Sequence, residues 1–249
     1  VTDVDEQARR EMRTLLQQGA WFSALPAALQ ERILRSAVVR SYAKGQMFQV
    51  EGTPVAGLTA VIEGRVLILV HVNHDEPALI HVGGPGFWFG EIGVLMGDTA
   101  LVTAVAQTAT TALVLPKAAL ERIVADDPRS YPAFARMVFD RYRILMRFLA
   151  EARRLGADDR LRLRLADLAE LRRLDTSVAG RGVELDITQS QLAAMVGLSR
   201  PKLNARLRAI QKEGWVELRP RSIRVLDADG LRATALARLS PQRRRREAS

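Results

Sequence analysis

Ten of the chain's 17 glycines fall between Gly45 and Gly97, and they break that stretch into short runs rich in aliphatic and β-branched residues. The runs cover residues 47–50, 58–62, 65–72 and 78–82, and two more follow at 101–107 and 111–115. Short apolar segments bounded by glycine turns predict strands, and their number predicts a small antiparallel barrel or roll. Ile62-Glu63-Gly64-Arg65-Val66, a polar turn between two apolar runs, predicts a hairpin.

The flanks have a different texture. Residues 5–18 and 27–36 carry apolar positions at helical spacing, with Leu29, Ile33 and Leu34 on one face of the second, and Trp21-Phe22 lies between the two stretches. After Asp126-Asp127-Pro128 a helix is predicted from about residue 131 to 155, because Pro132 is tolerated only in its first turn. Phe134, Val138, Arg141, Leu145, Phe148 and Ala152 recur along it in steps of three and four, as a mostly apolar seam. At 1.5 Å per residue such a helix extends about 36 Å. That is more than a small roll covers, so a matching helix from a second copy is the expected partner. Gly156 marks a break, Asp158-Asp159 opens another helix to about Leu174, and residues 175–182 read as a loop. The remainder reads as two helices, a hairpin and a basic tail ending near Arg243–Arg246.

The net charge of +9 is unevenly distributed. Residues 1–156 hold 17 Lys and Arg against 16 Asp and Glu, whereas residues 157–249 hold 20 against 12. A basic second part on a near-neutral first part points to a polyanion partner for the second alone. The absence of cysteine excludes disulfides, thiolate zinc sites and cysteine-held iron–sulfur clusters. His71, His74 and His81 show no metal-ligand spacing, and no cofactor is assigned. No phosphate-binding glycine loop, catalytic triad order or paired carboxylate motif is present, so the chain is not read as an enzyme. No run of 18 apolar residues occurs and the first residues are polar, which predicts a cytoplasmic protein without a membrane span.

The basic part holds the most informative segment. In residues 188–212, Thr188 is placed to cap a short helix whose Leu192, Ala193 and Val196 face inward. Gly197 supplies a tight turn, Leu198 plugs it, and Ser199 opens a second helix with Leu203, Leu207 and Ile210 turned to the core. This is the spacing of a helix-turn-helix. Arg200, Lys202, Asn204, Arg206 and Arg208 have no place in a small apolar core, and a DNA major groove accepts such a face. Two short runs around Arg219-Pro220-Arg221-Ser222 then predict a hairpin wing with Arg219 and Arg221 near phosphates. The expected double-stranded DNA contacts are Thr188, Gln189, Ser199, Arg200, Lys202, Asn204, Arg206, Arg219 and Arg221.

With these residues in place, the chain resembles the CRP/FNR family of bacterial regulators over about residues 15–227. Gly90-Glu91-Ile92-Gly93-Val94-Leu95 is similar to the Gly-Glu-Leu-Gly core of that family's nucleotide-binding roll. Pro128 with the following helix is similar to the start of its dimerisation helix, and Val196-Gly197-Leu198-Ser199-Arg200 to its DNA-reading turn. The resemblance implies an α+β fold, with an N-terminal antiparallel, jelly-roll-like β-roll, a long dimerisation helix and a C-terminal winged helix-turn-helix. The domain boundaries expected on this basis are 1–130, 131–156 and 157–228, with a basic tail over 229–249. It also implies homodimers on two-fold symmetric operators, RNA polymerase as a partner, and a small-molecule effector in the roll.

The effector region departs from the family's cyclic-AMP-binding members. Their Arg-Ser pair is matched by Ala100 and Leu101, and no Lys or Arg occurs between residues 66 and 116. Glu91 stands where the family's ribose-binding glutamate lies, and the polar pair that meets the adenine is matched by Leu145 and Met146. Arg141 is the one basic residue matched to a position near the pocket. The expected pocket therefore comprises Trp88, Gly90, Glu91, Ile92, Ala100, Leu101, Arg141 and Leu145. Two readings follow: a regulator with an altered, non-cyclic-AMP pocket, or one that answers a cyclic nucleotide or cyclic dinucleotide through Arg141.

Overall fold

In the computed structural model, which describes residues 6–71, 77–152, 155–175, 182–220 and 222–237, the glycine-rich stretch and the strands that flank it form two four-stranded antiparallel sheets. Helices α1 (Glu6–Leu16), α2 (Ala20–Ser23) and α3 (Ala27–Ser36) precede β1 (Val38–Tyr42), β2 (Met47–Gln49), β3 (Gly57–Glu63), β4 (Val66–Val70), β5 (Ala78–Gly83) and β6 (Trp88–Phe89). Then come α4 (Glu91–Met96), β7 (Thr103–Ala106), β8 (Thr110–Pro116), α5 (Lys117–Asp126), a 3-10 turn (Pro128–Ser130) and α6 (Tyr131–Ala152). The second part holds α7 (Ala157–Asp175), β9 (Val183–Leu185), α8 (Gln189–Val196), α9 (Arg200–Lys212), β10 (Val216–Leu218), β11 (Ile223–Val225) and α10 (Ala228–Ala237). The chain divides into two compact units, and the boundary, at Asp140, falls within α6.

In the first unit the sheet orders are β1-β8-β3-β6 and β2-β7-β4-β5. Side chains alternate across each strand. Val61, Phe87 and Phe89 therefore meet Val66, Ile68 and Ala104 between the sheets. Leu58, Ala60, Trp88, Leu113 and Leu115 point the other way, into a layer of helices α1, α2, α3 and α5. The first sheet is covered on both faces, which is why β3 is nearly continuously buried.

Three expectations are corrected in this unit. Residues 62–66 do not close a hairpin, because β3 pairs with β8 and β6 while β4 pairs with β5 and β7. The turn is a corner that carries the chain from one sheet to the other. Gly64 is required there, with φ at +89° and Ala109 O only 2.4 Å from where a Cβ would stand. Second, β1 and β6 escape the sequence pattern, since β1 is a half-exposed edge strand and β6 has two residues. Third, Phe134 does not belong to an open seam on α6. It is buried, and its ring lies 5.9 Å from that of Trp21. Among the described side chains of this helix, the exposed large apolar ones are Tyr131 in its first turn and Phe139, Tyr142, Leu145 and Met146 further along. Phe148 and Ala152 have side chains outside the described set.

In the second unit α7 is buried nearly all round, with Leu161, Leu163, Leu165 and Leu168 enclosed. The hairpin gains a third strand, β9, and runs β10-β11-β9. The basic tail expected from residue 229 begins instead as α10, whose Leu231 and Ala235 are fully buried. Residues beyond 237 lie outside the described set. No helix among the described residues is long and apolar enough to cross a membrane.

Candidate nucleic-acid interface and ligand region

The helix-turn-helix is built as its residue types demand. Thr188 caps α8 reciprocally: its Oγ1 accepts from Gln191 N at 3.2 Å, and Thr188 N donates to Gln191 Oε1 at 2.9 Å. Gly197 ends α8 with φ at +64°, the left-handed region glycine enters without strain. Leu198 N then donates back to Ala193 O at 3.0 Å, which tightens the turn. Ser199 occupies the N-cap of α9 without a side-chain cap bond, and Pro201 sits in the first turn, where no amide donor is needed. Leu203, Leu207 and Ile210 are buried.

Their burial orients the rest of α9. Successive residues turn by about 100°. The side opposite the buried row therefore carries residues 201, 205, 208, 209 and 212, with Lys202 flanking it. Arg200, Lys202 and Arg208 are exposed and make no hydrogen bond or ion pair among the described residues. Arg208, which the sequence already places on the basic face offered to the groove, stands on this outward face, and so does Lys212, which the sequence reading leaves out. The helical spacing 201, 205, 208, 212 is the signal that finds them.

Other predicted contacts are differently placed. Thr188 and Gln189 are half-buried at the start of α8. Asn204 is half-buried, and its Oδ1 is enclosed with no hydrogen-bond partner among the described residues. Arg206 is ion-paired through Nε with Asp158, in the first turn of α7. Arg219 lies 3.1 Å from Glu184 and 3.1 Å from Glu217. The hydrogen bond to Glu217, helped by the charges of Glu184 and Glu217, raises its pKa against the opposing effect of desolvation. A phosphate would have to displace those carboxylates. Arg221 lies outside the described residues.

Beneath this face runs a charged network. Arg162 is nearly inaccessible and forks onto Glu213 at 2.7 and 2.8 Å, and Glu213 also accepts from Trp215 Nε1 at 3.1 Å. The end of α9 is thereby tied to the start of α7. Asp167, fully buried, accepts from Arg232 of α10 at 2.7 Å. Burial lowers the pKa of Arg164, and the charge of Asp167 opposes that shift. Buried charges persist only when paired, and these pairs join α7, α9 and α10.

In the first unit, Gly90, Glu91 and Ile92 open α4, and Glu91 is buried. Trp88 is turned away from them. It packs on the helix side, 5.8 Å from Phe22 and 5.1 Å from Trp21, while Phe87 and Phe89 face the space between the sheets. Phe89 meets Phe48 edge-on at 5.3 Å and stacks with Phe87 at 5.8 Å, so aromatic rings occupy the roll interior. Ala100 belongs to the outer core with Val55 and Val94, and Leu101 is exposed. Arg141 and Leu145 lie on α6 beyond the unit boundary, half-buried and exposed respectively. At the roll's surface, Glu51 accepts from His71 N at 2.9 Å, which with the His71 ring holds its carboxyl below the usual range.

Comparison with known proteins agrees with this geometry. Residues 39–127 match the model of the cyclic nucleotide-binding domain, and residues 143–234 that of the Crp-like helix-turn-helix domain. The chain is 27% identical, over 76% of its length and 84% of the relative's, to the CRP-like cAMP-activated global transcriptional regulator of Mycobacterium tuberculosis. Among solved structures it is similar to FixK2 from Bradyrhizobium japonicum, with a TM-score of 0.63, 18% identity, and coverage of 78% of this chain and 95% of that one. It is also similar to the c-di-GMP responsive global regulator CLP of Xanthomonas campestris, with a TM-score of 0.59, 24% identity, and coverage of 81% and 100%. With a roll and a winged helix-turn-helix in this order, and the two domain models together spanning more than half of its length, the chain belongs to the CRP/FNR family of transcription regulators.

Proposed function

We propose that the protein is a homodimeric regulator that reads double-stranded DNA with α9 and does not use cyclic AMP as its switch. The observation that carries the first half is the pairing of a buried Leu203, Leu207, Ile210 row with exposed Arg200, Lys202 and Arg208, unpartnered among the described residues, on one helix. A helix with exposed cations around a buried row fits the major groove of B-DNA, about 12 Å wide. The second half is electrostatic. A cyclic phosphate carries a full negative charge, and enclosing it without a cation costs several kcal/mol. The roll offers a buried Glu91 and, over residues 66–116, no Lys or Arg. Phe48, Phe87 and Phe89 line its interior with aromatic surface. The favoured effector, where one acts, is apolar and less anionic. As a regulator the protein meets RNA polymerase at promoters.

A second reading is a regulator that answers a cyclic mononucleotide or dinucleotide through Arg141. It is favoured by the match to the cyclic nucleotide-binding domain and by two relatives, one described as cAMP-activated and the other as c-di-GMP responsive. Selection of bound duplexes from a random pool, followed by calorimetric titration with cyclic AMP, cyclic GMP and cyclic di-GMP, separates the two. Enrichment of a two-fold symmetric site with no nucleotide uptake is the expected result. Low-micromolar nucleotide binding that governs DNA affinity would establish the second reading.

A further inference from the structure

We propose that Asp158 withholds Arg206 from DNA, so that a carboxylate at the start of α7 sets how many phosphates the reading helix engages. This rests on the DNA-binding reading above. Lys202 and Arg206 are one turn apart on α9, on the flank between its outward face and its buried row. Lys202 is exposed and has no partner among the described residues, whereas Arg206 keeps 30% of its side-chain surface and gives its Nε to Asp158. The two adjacent aspartates of α7 face different ways. Asp159 turns inward, 3.9 Å from the buried Arg162, and Asp158, with 58% of its side chain exposed, turns to the reading helix.

Asp158 is held there by more than the pair itself. The fork of Arg162 on Glu213 ties the same two helices about two turns further along α9. A carboxylate in the first turn of a helix is also favoured by the helix dipole. An exposed pair of this kind contributes little to folding. Its consequence is charge: one cation of the flank that would face a polyanion is cancelled within the chain. Arg206 is a latent phosphate contact.

The test uses the full chain and a mixed-sequence duplex of about 30 base pairs, followed by fluorescence anisotropy between roughly 50 and 200 mM salt, the range over which phosphate contacts show most strongly. Arg206→Ala is expected to leave affinity and salt slope at wild-type values. Asp158→Asn, nearly isosteric, is expected to steepen the slope by about 0.9 for each phosphate newly engaged, which is about a 3.5-fold change in affinity per phosphate over that fourfold salt range. Asp158→Asn combined with Arg206→Ala is expected to return to the wild-type slope. A flattened slope for Arg206→Ala alone, or a double variant that keeps the full gain of Asp158→Asn, would overturn the proposal while leaving DNA binding intact. Wild-type protein that shows no salt-dependent duplex binding would overturn the DNA reading and this inference together.

Discussion

The indole of Trp21 meets that of Trp88 edge-on, with ring centroids 5.1 Å apart and planes inclined at 69°. Trp21 Nε1 also donates to Ala133 O at 2.7 Å, in the first turn of α6. One side chain from the N-terminal helices thus packs on the outer face of the roll and anchors the start of the long helix. Trp21→Ala removes both contacts and leaves a cavity beside Phe22 and Phe134, which should cost about 3–5 kcal/mol. Trp21→Phe keeps most of the packing, loses the hydrogen bond and should cost less. Urea unfolding of the two variants checks the order, and equal midpoints would contradict it.

The exposed stripe of Phe139, Tyr142, Leu145 and Met146 on α6 is expected to be the dimer contact. Leu145 is 52% exposed in the single chain. Leu145→Glu would place carboxylates in an apolar contact repeated by two-fold symmetry, where neither has a partner. Sedimentation should find wild-type dimers at micromolar concentration and monomers of the variant. A monomeric wild type removes the stripe from consideration as an interface.

Arg200, at the first position of α9 and without a partner among the described residues, is the side chain best placed to reach a base edge. A bidentate contact to guanine discriminates by about 1–3 kcal/mol, so Arg200→Ala should weaken the selected operator by about 5- to 150-fold and relax one position per half-site. Lys202→Ala should instead weaken all duplexes alike and flatten the salt dependence. The comparison is made by titrating each variant against the operator and against single-base substitutions of it. Unchanged selectivity of Arg200→Ala would move the reading face elsewhere on the helix.

Asp167 is a fully buried carboxylate on which Arg232 converges and whose charge supports the half-buried Arg164. Asp167→Asn leaves guanidinium groups enclosed without their counter-charge, and breaking a buried pair in this way costs about 3–5 kcal/mol. The loss should appear as earlier unfolding of the second unit, followed by hydrogen exchange in α7 and α10, with the roll unaffected. Replacing Asp167 and Arg232 together by leucine and methionine should recover part of it.

Much of this architecture is legible in the residues themselves. Glycine spacing marks the strands, Pro132 marks the start of α6, and Thr188, Gly197 and the row of Leu203, Leu207 and Ile210 define the helix-turn-helix, because each depends on local backbone preference or on period. The missing strands β1, β6 and β9 are short or lie at sheet edges. Their stability comes from pairing with distant strands, and little of it is written locally. The same holds for α10, whose polar first turn reads as tail until Leu231 and Ala235 find their places in the second unit.

The sequence by itself determined which residue types each segment offers: a roll with no cation over residues 66–116, a long apolar helix, and a basic reading helix with a wing. Only the tertiary structure decided how those residues are spent. It put Gly64 at a corner between sheets, turned Trp88 outward and Phe87 and Phe89 inward, and buried Phe134 while leaving Leu145 exposed. It also set Asp158 against Arg206 and the two glutamates against Arg219. The reason is range: helix periods, caps and turns are fixed by neighbours a few residues away, whereas the side of a strand that faces the core, or the partner of a charge, depends on groups tens of residues distant that fold brings together.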